Sequence, residues 1–97
     1  MTAYAVLMVR VDNLDTYKEY TLRTPLIVKK YGGRFLVRGG EVDTIEGEQF
    51  NDRLVIIEFP SKQSIHAFFS DPEYQAVAEY RKVSSEARIL AIDGVAD

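Results

Sequence analysis

Two glycine pairs bracket the stretch YGGRFLVRGG at residues 31–40, and between them they decide where a helix must stop and where a strand must bend. Glycine enters backbone regions closed to other residues. Gly32-Gly33 therefore reads as a helix exit, and Gly39-Gly40 as a bulge or bend in a strand. Side chains alternate across a strand, so Phe35 and Val37 point one way while Arg34, Leu36 and Arg38 point the other.

The flanking chain extends this pattern. Residues 3–11, AYAVLMVRV, form a short β-prone run that is apolar on both faces and stops at Asp12-Asn13. Those two side chains can accept the free amides of a first helical turn. From Leu14 to Tyr31 apolar and aromatic residues recur at steps of three or four, which predicts an amphipathic helix. Pro25 lies inside it, removes a backbone donor and crowds the preceding turn, so a kink or break is expected there. A third strand is expected over RLVIIEF at 53–59, then a short helix capped by Ser61. Ser70-Asp71-Pro72 restarts a helix that runs to about Ser85, and ARILAI at 87–92 is the last strand. Asp93–Asp97 reads as a partly disordered tail.

The order is β-α-β followed by β-α-β, the split βαβ or ferredoxin-like pattern of the α+β class. Right-handed crossovers place two helices on one face of a four-stranded antiparallel sheet. Strands one and three are expected in the centre, running parallel to each other. At 97 residues the chain is a single domain over residues 1–97. A net charge of -3 does not give the basic footprint of a nucleic-acid binder. The absence of cysteine excludes disulfides, thiol catalysis and thiolate-held metal, and fits a cytoplasmic location. The opening residues have neither the basic stretch nor the continuous apolar run of a signal peptide, and no apolar run is long enough to cross a bilayer.

Helices can cover only one face of such a sheet. Parity assigns them Ala5, Leu7, Val9, Phe35, Val37, Val55, Ile57, Phe59, Ile89 and Ala91. The other face then carries Val6, Met8, Leu36, Leu54, Ile56, Leu90 and Ile92, an apolar patch of the kind that marks an interface or a ligand cavity. The expected partner is a second copy of the chain, two sheets packing face to face as a two-chain barrel. YGGRFLVRGG at 31–40, RLVIIEFP at 53–60, SDPEY at 70–74 and the closing strand with Arg88 together resemble the family called domain of unknown function 1330. That resemblance implies a dimeric α/β barrel with a ferredoxin-like fold and implies no reaction.

Polar residues on the apolar sheet face carry the functional expectation. By parity Tyr4, Arg10, Arg34, Arg38, Glu58 and Arg88 share it. With strands one and three parallel, Arg10 falls beside Glu58 and Arg88 comes to the same end. Two registers stand open for the second strand. If residues 41–52 are all loop, Arg34 meets Glu58; if the strand resumes beyond a bulge at Gly39-Gly40, Arg38 does. The alternation of 41–46 favours Arg38. Arg34, Arg38, Glu58 and Arg88 are thus the candidate ligand-binding residues, for a small anionic organic molecule held by guanidinium groups among apolar walls. Glu58 is the candidate general base of a cofactor-free enzyme. The competing reading is a structural module whose charges only fix the dimer. No cofactor is implied. His66 stands alone and reads as a surface residue rather than an axial haem ligand, and the acidic run of Glu46, Glu48 and Asp52 reads as a solvated loop without a metal-ligand pattern. The tyrosines at 17, 20, 31, 74 and 80 read as core packing with hydroxyls at the rim.

Overall fold

The structure, a computed structural model, describes residues 1–96. The elements are β1 (Ala3–Val11), α1 (Leu14–Lys30), β2 (Arg34–Arg38), β3 (Arg53–Phe59), α2 (Lys62–Ser70), α3 (Pro72–Ser84) and β4 (Ser85–Asp93). The strands form one sheet in the order β2-β3-β1-β4, with every neighbouring pair antiparallel. This is the ferredoxin-like arrangement. The second helical segment comes in two pieces, α2 and α3, which meet at Asp71 where Ser70-Asp71-Pro72 predicts the restart.

The helix ends follow the local chemistry. The Asn13 side chain accepts from the Thr16 amide and opens α1. At the other end Gly32 takes a positive φ of 76°. Its N–H donates to the Lys29 carbonyl, and that of Gly33 to the Val28 carbonyl, both at 3.0 Å, the paired bonds of a Schellman cap. The exit is tight as well as left-handed, because a Cβ on Gly33 would collide with Phe59 and Val28. Pro25 does not break α1, which runs unbroken from Leu14 to Lys30. The Ser61 side chain accepts from Ser64 and caps α2.

Asp71 does the most work of any cap. One carboxylate oxygen accepts from the amides of Glu73 and Tyr74 at 2.7 and 3.1 Å. The other accepts from Lys30 Nζ at 3.0 Å and from the Tyr31 hydroxyl at 2.5 Å, tying the start of α3 to the end of α1. The Tyr31 and Lys30 bonds hold the Asp71 carboxyl well below the ordinary carboxylate range.

Burial splits the sheet by parity. Ala3, Ala5, Leu7, Val9, Val55, Ile57 and Phe59 are buried beneath the helices with Ile65, Phe68 and Tyr74. Phe35, Ile89 and Ala91 pack against that core from its margin. The opposite face is open, and Leu90 and Ile92 are 47% and 57% exposed there. No helix is long and apolar enough to cross a membrane among the described residues. Of the expected tail, Asp93 closes β4 and the Gly94 amide donates to the Thr2 carbonyl at 2.7 Å, while Asp97 lies outside the described residues.

Two sequence expectations about the sheet are corrected. The central strands β1 and β3 are antiparallel, not parallel. β3 returns from β2 by a reversing connection and inserts between β2 and β1, so it must oppose both. The bulge of β2 lies at Leu36, where the register slips between Phe35 and Val37, and not at Gly39-Gly40. The strand does not resume over 41–46, and residues 39–52 form an irregular connection.

The depressed Asp71 carboxyl stabilises the fold while it is ionised. Its contribution is complete above the unfolded pKa, near 3.9, and falls away as pH drops through the lower folded value. Asp71→Ala should therefore melt several degrees below wild type at neutral pH, with a gap that holds from about pH 8 to about pH 5 and narrows below about pH 4. Thermal melts across that range check this.

Candidate functional site

The corrected topology disperses the four expected site residues. Glu58 lies opposite Tyr4 on β1 and opposite Arg34 on β2. Arg34 Nη2 donates to Glu58 Oε2 at 3.3 Å, so Arg34, not Arg38, is the arginine that meets Glu58. The pair sits on the open face, with the arginine side chain 71% exposed and the carboxylate 28%. Arg10 and Arg88 lie at the far end of that face, opposite Glu86 and Met8. The Arg10 guanidinium bonds Asp12 at 3.3 Å and Glu86 at 3.1 Å. Arg10 and Glu58 are therefore not neighbours, a direct consequence of β3 running antiparallel to β1.

Arg38 is on the other side of the sheet. The extra residue at Leu36 reverses the alternation of β2. Val37 comes opposite Ile56 on the open face, and Arg38 opposite Val55 on the helix side. There the Arg38 guanidinium lies 4.5 Å from the centroid of the Phe35 ring and donates from Nη2 to the Thr21 carbonyl of α1 at 2.6 Å.

Arg53 joins it. This residue opens β3 on the parity of Val55, Ile57 and Phe59, the core-facing side. Its guanidinium is 5.6 Å from the Tyr17 ring, and its Nε is buried without a hydrogen-bond partner. Burial pushes the Tyr17 hydroxyl up, and the Arg53 charge draws it partly back. Gly39, at φ 75°, gives Arg53 its place, since a Cβ there would overlap the guanidinium. Lys18, from α1, completes the group. A surface hollow of about 410 Å³ is lined by Leu14, Lys18, Thr21, Leu22, Arg38 and Arg53. Behind the two arginines is a slot of only about 20 Å³, walled by Tyr20, Thr24, Phe35 and Phe68 among others. Among the described residues none of the three cations lies within ion-pair distance of a carboxylate.

Sequence reasoning missed Arg53 and Lys18 as site residues. Arg53 was findable, because it is the charged residue on the core-facing parity of an otherwise apolar strand. Lys18 carried no such signal; it is one of several lysines off the buried stripe of α1.

Deeper under the helices the Tyr20 and Tyr74 hydroxyls bond each other at 2.8 Å. They lie in the interior, not at the rim expected from the sequence. Burial, reinforced by Tyr74, holds the Tyr20 hydroxyl well above its ordinary value.

The family designated Domain of unknown function (DUF1330) matches residues 2–95. The chain belongs to that family. No curated protein matches it. Among solved structures, this DUF1330 chain is similar to RPA0582, a protein of unknown function from Rhodopseudomonas palustris, with a TM-score of 0.80, 17% identity, and coverage of 99% of this chain and 84% of that one. It is also similar to SnoaB, a cofactor-independent oxygenase from Streptomyces nogalater, with a TM-score of 0.70, 12% identity, and coverage of 99% and 95%. A dimeric protein of unknown function with a ferredoxin-like fold, from Bacteroides fragilis, aligns with a TM-score of 0.65, 11% identity, and 96% coverage of both chains. At these identities the likeness establishes the shared fold of the DUF1330 chain.

The tyrosine pair gives the site region a measurable signature. Tyr74→Phe strands the Tyr20 hydroxyl in a dry site and should cost about 1–3 kcal/mol. The double variant Y20F/Y74F, which removes both polar groups, should lie closer to wild type. Urea unfolding of the three proteins reads the comparison.

Proposed function

We propose that this chain binds a small apolar carboxylate, or a similar organic anion, in the hollow between α1 and the β2–β3 edge. Lys18, Arg38 and Arg53 pair with the negative group, and the body of the ligand lies along Leu14 and Leu22. The observation that carries the reading is the convergence of three unpaired cations on one hollow, in a chain whose net charge is -3. Guanidinium groups suit a carboxylate because two N–H donors meet its two oxygens. The hollow also has the size of ordinary small-molecule sites. The inner slot has room for about one water and none for an organic ligand, so the ligand belongs in the outer hollow.

Of the residues expected from the sequence, Arg38 keeps a ligand-binding part in this reading. Arg34 and Glu58 take the structural part, an exposed pair that aligns the open face. Glu58 lies across the sheet from the hollow and is not proposed as a base. The SnoaB likeness adds cofactor-free oxygenation as the chemistry to look for once a ligand is in hand. Melting curves with a panel of aryl and alkyl carboxylates test the reading. At a hundredfold excess over Kd a ligand adds about 2.7 kcal/mol, a rise of about 11–22 °C for a domain this small. Arg53→Leu and Arg38→Leu should abolish the rise and Arg34→Leu should keep it. A panel without effect on wild type, or a full response in Arg53→Leu, would sink the proposal.

We propose further that two copies pair through the open sheet face. Val6, Met8, Leu54, Ile56, Leu90 and Ile92 form its apolar stripe, and full burial of such side chains contributes roughly 1.5–3 kcal/mol each. The fold is shared with a Bacteroides fragilis protein described as dimeric, which supports a pair of chains. Light scattering at micromolar concentration should give twice the chain mass, and Ile56→Asp should give a folded monomer.

A further inference from the structure

The open face is not flat. At its β1–β4 end it holds a hollow of about 380 Å³ lined by Met8, Arg10, Phe50, Asp52, Glu86 and Arg88. Arg10 is neutralised there by Asp12 and Glu86, whereas Arg88 has no ion-pair partner among the described residues. Two of the lining residues, Phe50 and Asp52, come from the connection between β2 and β3, which therefore rises on the open side of the sheet.

The tip of that connection is built to project. The Phe50 amide donates to Thr44 Oγ1 at 2.9 Å, closing residues 45–49 into a compact turn, and Gly47 takes φ 93° within it. The turn presents Ile45 to solvent at 93% exposure, beside Glu46 and Glu48. The turn offers a large aliphatic side chain flanked by carboxylates. The hollow offers an apolar wall of Met8 and Phe50, with Glu86 already engaged by Arg10, Asp52 at its rim and the guanidinium of Arg88 outside ion-pair distance of either carboxylate.

Resting on the proposed pairing through the open face, we infer that each copy's 45–49 turn seats in the other copy's hollow. Ile45 packs against Met8 and Phe50 of the second copy, and Glu46 pairs with its Arg88. The turn and the hollow adjoin through Phe50 and Asp52, so a two-fold axis between them exchanges both at once, and each contact is made twice. The preformed turn loses little freedom on seating. Arg88 is on this view a residue of the subunit interface.

Mixing complementary charge variants tests the contact. Arg88→Glu sets like charges against Glu46 in its own homodimer, and so does Glu46→Arg against Arg88. The mixed dimer has one native and one reversed pair, both attractive. Native mass spectrometry of the two full-length variants combined should show heterodimer about tenfold above the statistical share, the sum of two exposed pairs. Both residues are exposed, and circular dichroism confirms that each variant is folded. Statistical mixing of stable dimers overturns the inference and leaves the pairing intact. A rescue seen only in the double variant, with no heterodimer preference, would place the contact within one chain and also overturn it. A monomeric wild type would remove the pairing itself.

Discussion

One extra residue in a five-residue strand determines on which side of the sheet Arg38 stands. Without the bulge at Leu36, Arg38 would share the open face with Arg34, as simple alternation requires. With it, the Arg38 guanidinium passes to the helix side, stacks on Phe35 and reaches the Thr21 carbonyl. Gly39 follows at once with a left-handed backbone and leaves room for Arg53. Two cations separated by an irregular connection thereby meet at the mouth of the helix–sheet interface. A bulge at the rim of a sheet re-aims side chains in this way without disturbing the core.

The direction of β3 is the second constraint. Because it runs against β1, the open face is divided between two ends: Arg34 with Glu58 at one, and Arg10, Arg88 and Glu86 at the other. Exposed ion pairs of the Arg34–Glu58 kind contribute little stability. In the proposed pairing of two copies, their part is orientation, since mismatched charges oppose the wrong register of two sheets. The helix side differs in kind. Its polar groups include the Tyr20–Tyr74 hydroxyl pair and the Asp71 cluster, both satisfied by bonds between different helices. These hold α1 against α3 and fix the helical wall of the cationic hollow.

Much of this architecture was legible before folding. Asn13, Ser61 and Asp71 announce helix starts because their short side chains accept amides in the first turn. Gly32-Gly33 announces an exit because the next step of α1 demands a left-handed residue and a close approach to Phe59. The parity of β1 and β3 named the sheet's share of the core, and the apolar remainder named the open face. Parity also places Arg53 among core residues. The Arg38 placement was illegible because a bulge leaves no required residue type behind. RFLVR reads as clean alternation, and the glycines beyond it look like the better bulge.

The sequence by itself determined the order of elements, their caps, the composition of the two sheet faces and the family to which the chain belongs. Each depends on interactions within a few residues or on a period of two or three to four along the chain. Only the tertiary structure decided that Arg34 meets Glu58, that Arg38 and Arg53 converge with Lys18, and that Arg88 lies far from both. Those outcomes depend on the relative direction of β1 and β3 and on a one-residue slip between β2 and β3. Both are properties of strand pairing, and pairing is set by contacts between distant segments that local spacing does not record.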